Sequence, residues 1–369
     1  MSYDLVIAGA GPIGLAVAIH ARLRGLAPLV LERAPGPVDK ACGEGIMPAG
    51  VAALEAMGVT PANDRSHPFR GIRYIEDDLV AEGRFAGPPG LGVRRTELTR
   101  VLLERATELG APVRFGAAVD DWEVDRAGIE VRVRGCERTE HARLLVGADG
   151  LHSDVRRRAG LDRPEAADGR GTRETRFGLR RHFRLRPWTD LVEVHLADRA
   201  EAYVTPVGPE LVGVAFLFSP RSPGSTEPTG SPESPAVWDS LLARFPRLTD
   251  KLAGADPTDR PRGAGPLRQP VLGRVAPGVA LVGDAAGYLD ALTGQGIELG
   301  LACAEALVET LVSGSPLERY ETAYRRLTKR YYTGTRLLLA ATRRGPTRRG
   351  LVRALGSVPG LFDRAVGAL

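Results

Sequence analysis

One stretch restricts this chain more than any other: Asp4-Leu5-Val6-Ile7-Ala8-Gly9-Ala10-Gly11-Pro12-Ile13-Gly14, then a helical run, then Pro28-Leu29-Val30-Leu31-Glu32-Arg33. An apolar run enters a Gly-x-Gly-x-x-Gly turn, a helix pattern follows, and a second apolar run ends in an acid. That order spells a strand–turn–helix–strand unit of a Rossmann-like α/β sheet. Each glycine has its own task. Gly9 permits the tight turn, Gly11 lets the backbone approach a pyrophosphate, and Gly14 lets the helix pack on the strand. The helix start, at Ala10 to Ile13, offers free N–H groups and a partial positive charge to that pyrophosphate. Glu32 closes the second strand, where a carboxylate can accept hydrogen bonds from ribose hydroxyls, and Arg33 follows it. The unit implies dinucleotide binding without separating FAD from NAD.

A second strand–turn–helix unit lies near the other end of the chain. Val279-Ala280-Leu281-Val282-Gly283-Asp284 is an apolar run ending in an acid, and a helix is expected from Ile297 to Val312. Asp284 can take a sugar-type hydroxyl. Thr293-Gly294-Gln295-Gly296-Ile297 gives a second close backbone approach, aimed by a second helix N-terminus that can stabilise negative charge on a bound ring. A site for a pyrophosphate with a ribose, joined to one for a polyol and an electron-accepting ring, suits FAD far better than NAD. Arg95, opening a helix with Leu98, Val101 and Leu102 on one face, is placed to reach a phosphate. Cys42-Gly43-Glu44-Gly45 makes a flexible loop that can run beside a flat ligand. Cys42 itself is either a small residue packed in a turn or a thiol beside the reacting ring, and no nearby base would make it a nucleophile.

The remainder of the chain narrows the class. Its 369 residues, 43% of them apolar, allow two domains and an ample core. No run approaches a transmembrane helix, and the chain enters a strand at once, so neither a membrane span nor a signal peptide is expected. Cys42, Cys136 and Cys303 are scattered without a Cys-x-x-Cys, which argues against a disulfide framework or a zinc site and fits the cytoplasm. The net charge is +5, but Pro316 to Leu369 holds twelve Arg or Lys and three acids, hence +9, leaving −4 elsewhere. The basicity belongs to the C-terminal segment and is not a nucleic-acid footprint spread over the fold.

Between the two nucleotide-type units the pattern changes. Residues 69–92 read as short strands, with Ile72, Tyr74 and Phe85 alternating with polar residues. A helix is expected after Thr96, which can cap it. Val113–Phe115 and Ala117–Val119 read as a strand entering the sheet, with a hairpin around Asp125-Arg126-Ala127-Gly128. Leu144-Leu145-Val146 is a buried strand ending in Gly147-Ala148-Asp149-Gly150, and Ser153 can cap the next helix. From 177 to 218 the apolar runs read as antiparallel strands of a second layer. Ser219–Pro235 reads as a mobile surface loop and Trp238–Phe245 as one short helix. Tyr324–Tyr331 with Leu337–Leu339 reads as amphipathic helix.

With both ends in view, the chain resembles the group A flavoprotein monooxygenases (the p-hydroxybenzoate hydroxylase fold) and, closely, the geranylgeranyl reductase branch of that superfamily. Four motifs carry the resemblance: Gly9 to Gly14 with Glu32; Arg95 with Leu98 and Leu102; Gly147-Ala148-Asp149-Gly150 with Ser153 and Arg156; and Gly283-Asp284-Ala285-Ala286-Gly287 with Asp290 and Thr293 to Ile297. The resemblance implies a discontinuous, Rossmann-like FAD-binding domain with a parallel sheet, residues 1–70, 95–175 and 265–315. It implies an inserted antiparallel β-sheet substrate domain, residues 71–94 and 176–264, and a basic helical segment at 316–369. By the same token Cys42, Gly43 and Val119 join the residues above as FAD contacts. Tyr203-Val204-Thr205-Pro206 keeps the Tyr of the prenyl-reductase motif Tyr-x-Trp-x-Phe-Pro but lacks its Trp and Phe. The halogenase motif Trp-x-Trp-x-Ile-Pro is absent.

The chemistry expected of such a protein belongs to the flavin, with the chain supplying orientation, polarity and water exclusion. The first reading is a monooxygenase that uses NAD(P)H and O₂ to oxygenate a small apolar aromatic or polyketide-like substrate. The second is a reductase of prenyl-chain or other alkene double bonds. There Tyr203 is the candidate acid, with His182 and His195 as strand residues that can face the pocket. A flavin-holding protein without turnover is a third reading. The basic C-terminal segment is either a helix packed on the FAD domain with a solvated face or a peripheral contact with an anionic membrane surface.

Overall fold

A computed structural model of the chain describes residues 2–163, 176–219, 233–358 and 360–367. Most of the stretch read as a mobile surface loop, residues 220–232, lies outside the described residues.

The opening strand Ser2–Ala8 runs through the middle of a parallel sheet. Its neighbours are Pro28–Glu32 on one side and Thr139–Gly147 on the other, followed outward by Val113–Phe115 and Val279–Leu281. Leu5, Val6 and Ile7 are buried on both faces, as a strand covered by helices on each side requires. Helix Pro12–Leu23 packs between helices Gly296–Val312 and Arg95–Glu108. The hairpin Val119–Val124 with Ile129–Val133 pairs antiparallel to Thr139–Gly147.

A second sheet lies over the first. Its order is Asp256–Pro257, Phe177–Arg184, Leu211–Phe218, Ala200–Gly208, Val192–Ala197, Gly71–Glu76, Leu79–Arg84. The pairings are antiparallel except one: Val192–Ala197 runs parallel to Gly71–Glu76, with Ile72 opposite Val192. More than a hundred residues, among them helix Arg95–Glu108 and strand Thr139–Gly147, separate these two strands, so no hairpin dictates their direction. Gly90–Val93, expected with this layer, instead forms a small separate sheet with Gly45–Ile46 and Ser66–Phe69. That small sheet presses on the large one so closely that a Cβ on Gly92 would lie 1.8 Å from the Pro206 carbonyl oxygen.

Two local expectations change. The helix Arg95–Glu108 begins one residue before Thr96, and its N-cap Arg94 makes no side-chain cap; the Arg95 N–H donates instead to Glu44 Oε1 at 2.9 Å. The stretch read as one helix from Trp238 forms two, Pro235–Leu242 and Pro246–Leu252, because a proline opens each. Ser153 caps helix Asp154–Arg158 by accepting from the Arg156 N–H.

The C-terminal helices touch both layers. Helix Glu318–Thr342 starts on the parallel sheet, where Tyr320 donates its hydroxyl to Leu281 O at 2.8 Å. Helices Gly345–Ser357 and Leu361–Gly367 then pack on strand Leu79–Arg84. Phe362 lies 4.9 Å from the Tyr74 ring, over Gly83, where a Cβ would meet its Cγ at 2.8 Å. Arg348 donates to Glu76 Oε1 at 2.8 Å, both side chains buried. No described helix is long and apolar enough to cross a membrane.

The Arg348–Glu76 pair fixes the last helices to the second sheet. Arg348→Met strands a buried carboxylate and should cost about 3–5 kcal/mol, whereas Glu76→Leu with Arg348→Met should recover most of that loss. Urea unfolding of the three proteins measures both.

Candidate functional site

A cavity of about 840 Å³ is lined by the glycine turns, both large sheets and the C-terminal helices. At one end lies the turn Gly9–Gly14. Gly9 sits at φ 110°, and a Cβ there would come within 2.5 Å of Ala148 O. A Cβ on Gly14 would lie 2.0 Å from Gly9 O, so the helix can close on its own turn only with glycine at that position. Glu32 fixes the turn rather than standing free: Oε2 accepts from Ala10 N at 2.8 Å and Oε1 from Ala34 N at 2.9 Å. Gly9, Gly11, Pro12, Ile13, Glu32, Arg33 and Val119 line the cavity, whereas Ala10 and Gly14 serve the packing behind it.

Arg95 faces this turn, and Lys40 stands nearby, its Nζ 3.2 Å from where a Gly150 Cβ would be. Arg95 Nη2 lies 3.4 Å from where a Gly11 Cβ would be, and its buried Nε has no hydrogen-bond partner. Lys40, which the motifs did not single out, also lines the cavity. Burial and the neighbouring Arg95 push its ammonium below the usual lysine range, against the pull of Asp284 and Glu32. A half-buried guanidinium whose buried Nε has no partner, a second cation and a bare glycine turn together form a cradle whose chemistry fits a pyrophosphate.

The remaining motifs close the floor. Asp149 lines the cavity, and its carboxylate accepts from Ser153 Oγ and from the N–H groups of Asp154 and Val155, holding the Gly147–Gly150 turn in place. Arg156 is buried and donates to Leu151 O, Gln269 Oε1 and Ala285 O, tying that turn to the second unit. Asp284 opens onto the cavity within a shell of protein; burial raises its carboxyl, while Arg95 and Lys40 oppose. Gly283, Gly294, Gly296 and Ile297 line the wall at the start of helix Gly296–Val312, and Gln295 is its buried N-cap, set back from the cavity.

Opposite runs the loop 41–45. Cys42 and Gly43 line the cavity, and burial pushes the Cys42 thiol up, so it packs as a neutral thiol with Sγ 3.4 Å from Glu44 N. Glu44 is a non-glycine residue at φ 60° and is buried. A side chain holding a left-handed backbone between two glycines signals a structural post, and the motifs gave it no role.

Of the three candidate catalytic side chains, only Tyr203 reaches the cavity. It pairs with Val194 across the sheet, and both face inward. His195 follows Val194, so strand alternation turns it to the other face, where it meets Glu193 at 3.3 Å and the edge of Phe245. His182 is fully buried between Glu44 and Asp259. Tyr203 donates its hydroxyl to Leu292 O at 2.9 Å, and burial, then Glu201, raises it well above the tyrosine range. Beyond it the wall is apolar, with Phe69, Ile72, Val192, Leu355 and Phe362, and the Tyr74 hydroxyl among them.

The FAD binding domain family matches residues 2–335. Digeranylgeranylglycerophospholipid reductase 1 of Methanopyrus kandleri is 30% identical over 339 residues, 87% of this chain and 85% of that protein. The 12-dehydrotetracycline 5-monooxygenase/anhydrotetracycline 6-monooxygenase of Streptomyces rimosus is 37% identical over 172 residues, 44% of this chain and 34% of that protein. The crystal structure of a flavoprotein/dehydrogenase from Cytophaga hutchinsonii superposes with a TM-score of 0.78 at 18% identity, covering 98% of this chain and 90% of that one.

The cation pair makes the nucleotide end testable. Arg95→Met should weaken FAD binding about 30-fold, from loss of a desolvated charge contact. Riboflavin, which lacks the pyrophosphate, should bind as before. Fluorescence titration of the apoprotein with each ligand reads the difference.

Proposed function

This chain belongs to the FAD binding domain family, that of the group A flavoprotein monooxygenases, and is an FAD-dependent oxidoreductase; we propose that it is a monooxygenase using NAD(P)H and O₂ on a small apolar aromatic or polyketide-like substrate. Arg95, Lys40 and the Gly9–Gly14 turn would hold the pyrophosphate, Asp284 the polyol, and the start of helix Gly296–Val312 the ring. The flavin, when bound, supplies the redox chemistry. The chain's own work is to bind, orient and keep water out.

The observation that carries the oxygenating reading is the character of the substrate wall. Among the described residues of 69–74, 192–205 and the C-terminal helices that line the cavity, the titratable groups are Tyr74 and Tyr203; elsewhere in the lining Glu44 and Arg180 are engaged with His182, Asp39 and Asp259, and Glu233 accepts from the Gly263 N–H at 2.8 Å. Burial raises Tyr74 to about 12 and Tyr203 well above its ordinary value, so both are neutral hydroxyls. The Tyr203 proton is already committed to Leu292 O. Oxygen transfer asks such a wall for orientation, whereas alkene reduction asks it for a delivered proton.

A second reading has its own support. Similarity to a digeranylgeranylglycerophospholipid reductase runs through 87% of the chain, and the apolar wall continues into the C-terminal helices at Leu338, Leu351 and Leu355. That favours reduction of double bonds in a prenyl chain.

Turnover under ¹⁸O₂ separates the two. With NADPH or NADH and an aromatic polyketide probe, ¹⁸O should appear in the product; a saturated prenyl product formed without O₂, and no labelled product, would replace this reading with the second. Tyr203→Phe sharpens the outcome. It should leave oxygenation within about threefold of wild type, the scale of one neutral hydrogen bond. If Tyr203 delivers a proton to an alkene, the same change should cost about 10²-fold or more.

A further inference from the structure

The buried cluster around His182 belongs to no motif, yet it sits against the loop that lines the cavity. His182 lies on strand Phe177–Arg184 of the substrate sheet. Its Nε2 is 2.5 Å from Glu44 Oε2, and its Nδ1 is 2.7 Å from Asp259 Oδ2. The other Glu44 oxygen accepts the Arg95 N–H, and the Glu44 carbonyl accepts from Val93 N at 2.9 Å. One carboxylate thus joins three segments: the cavity loop, the start of the Arg95 helix and the substrate sheet. The strand opposite His182 makes room for it. Gly213 pairs with His182, and a Cβ there would lie 3.2 Å from Glu44 Oε2.

We infer that His182 is a positioning residue for FAD: backed by Asp259, it holds Glu44 in its left-handed conformation at the head of the Arg95 helix and so sets where the Arg95 guanidinium meets the cofactor. The inference rests on FAD occupying this cavity.

Charge follows from the same geometry. Facing the imidazole are Glu44 on the loop, Asp259 beyond the short strand Asp256–Pro257, and Arg180 on its own strand. Arg180 Nη1 lies 2.8 Å from His182 Nδ1 and 2.6 Å from Asp259 Oδ2. Asp39 bonds Arg180, and Arg94 lies 3.7 Å from Asp259. Asp39, Glu44 and Asp259 are then balanced by Arg94, Arg180 and a protonated His182. Burial and the Arg180 guanidinium oppose that proton, but the hydrogen bonds to Asp259 and Glu44 outweigh them and raise the imidazole above its ordinary value; in that form Nδ1–H donates to Asp259 Oδ2, and the Arg180 N–H groups serve Asp259 and Asp39 instead. A neutral ring with its hydrogen on Nε2 still reaches Glu44, without the charge assistance that makes such a bond roughly twice as strong.

The sign is therefore fixed. The full contact exists below about pH 6.5 and weakens as pH rises through the raised value. FAD affinity, read by fluorescence titration of the apoprotein from pH 6 to 9, should fall about three- to tenfold on the alkaline side, the size of a lost charge assistance. His182→Gln keeps a donor without a charge, so its affinity should equal the alkaline wild-type value at every pH. Asp259→Asn, at a residue that is not itself part of the cavity lining, should move the wild-type midpoint to lower pH. A wild-type affinity independent of pH, or a folded His182→Gln protein that keeps the wild-type profile, would overturn the inference while leaving FAD binding intact. Wild-type protein that binds no FAD at any pH would remove the cofactor reading, and this inference with it.

Discussion

The nucleotide half depends on backbone lying against backbone. The Gly9 turn is pressed onto the Ala148 carbonyl so closely that no Cβ fits between them. That contact brings the ends of the first strand and of Thr139–Gly147 together, side by side in a parallel pair. From it follow the place of helix Pro12–Leu23, the Ala10 N–H offered to Glu32, and the open Gly11 face beneath Arg95. Side chains then decorate a geometry that the main chain has already set. Parallel strands also explain why both acid-ended runs deliver their carboxylates to the same edge of the sheet.

Much of this was legible because the signals are local. A glycine fingerprint, a strand ending in Glu32 and a second apolar run ending in Asp284 each sit within a few dozen residues, although that second strand stops at Leu281 and Asp284 lies in the 3-10 turn Gly283–Ala286 that follows; hydrophobic runs mark strands buried on both faces. What was not legible is non-local. Lys40 gives no pattern of its own; it matters because the fold carries it beside Arg95. The direction of Gly71–Glu76 against Val192–Ala197 cannot be read from either strand, since alternation is the same for both directions. His182 and His195 look alike in sequence, each an imidazole in an apolar strand. Register and partner decide between them: one is buried against the cavity loop, the other turned to Phe245. Glu44 was visible only as an acid between glycines, and its positive φ appears only when Arg95 N and Val93 N are both placed on it.

Around the loop 41–45 the two layers are joined by tight contacts of several chemistries. Gly92 against Pro206 is a steric contact, Thr205 Oγ1 to Gly43 O a neutral hydrogen bond of 2.8 Å, and His182 to Glu44 an imidazole–carboxylate pair. All lie around the loop 41–45 and its small sheet. The C-terminal helices add a clasp on the far side, beginning at Tyr320 on the nucleotide layer and ending at Phe362 on the substrate layer. The cavity is thus held from two opposite edges.

The parallel pairing of Ile72 with Val192 has a consequence for synthesis. Strand Gly71–Glu76 leaves the ribosome with its hairpin mate Leu79–Arg84 but without its inner neighbour, which is 120 residues further along (192 − 72). During that interval one edge of the hairpin has free N–H and C=O groups, a template for any other extended chain. The first strands and helix of the parallel sheet are translated before it, but strand Val279–Leu281 and helix Gly296–Val312, which complete that half, follow it. The free strand edge is therefore exposed in the middle of translation rather than at its end.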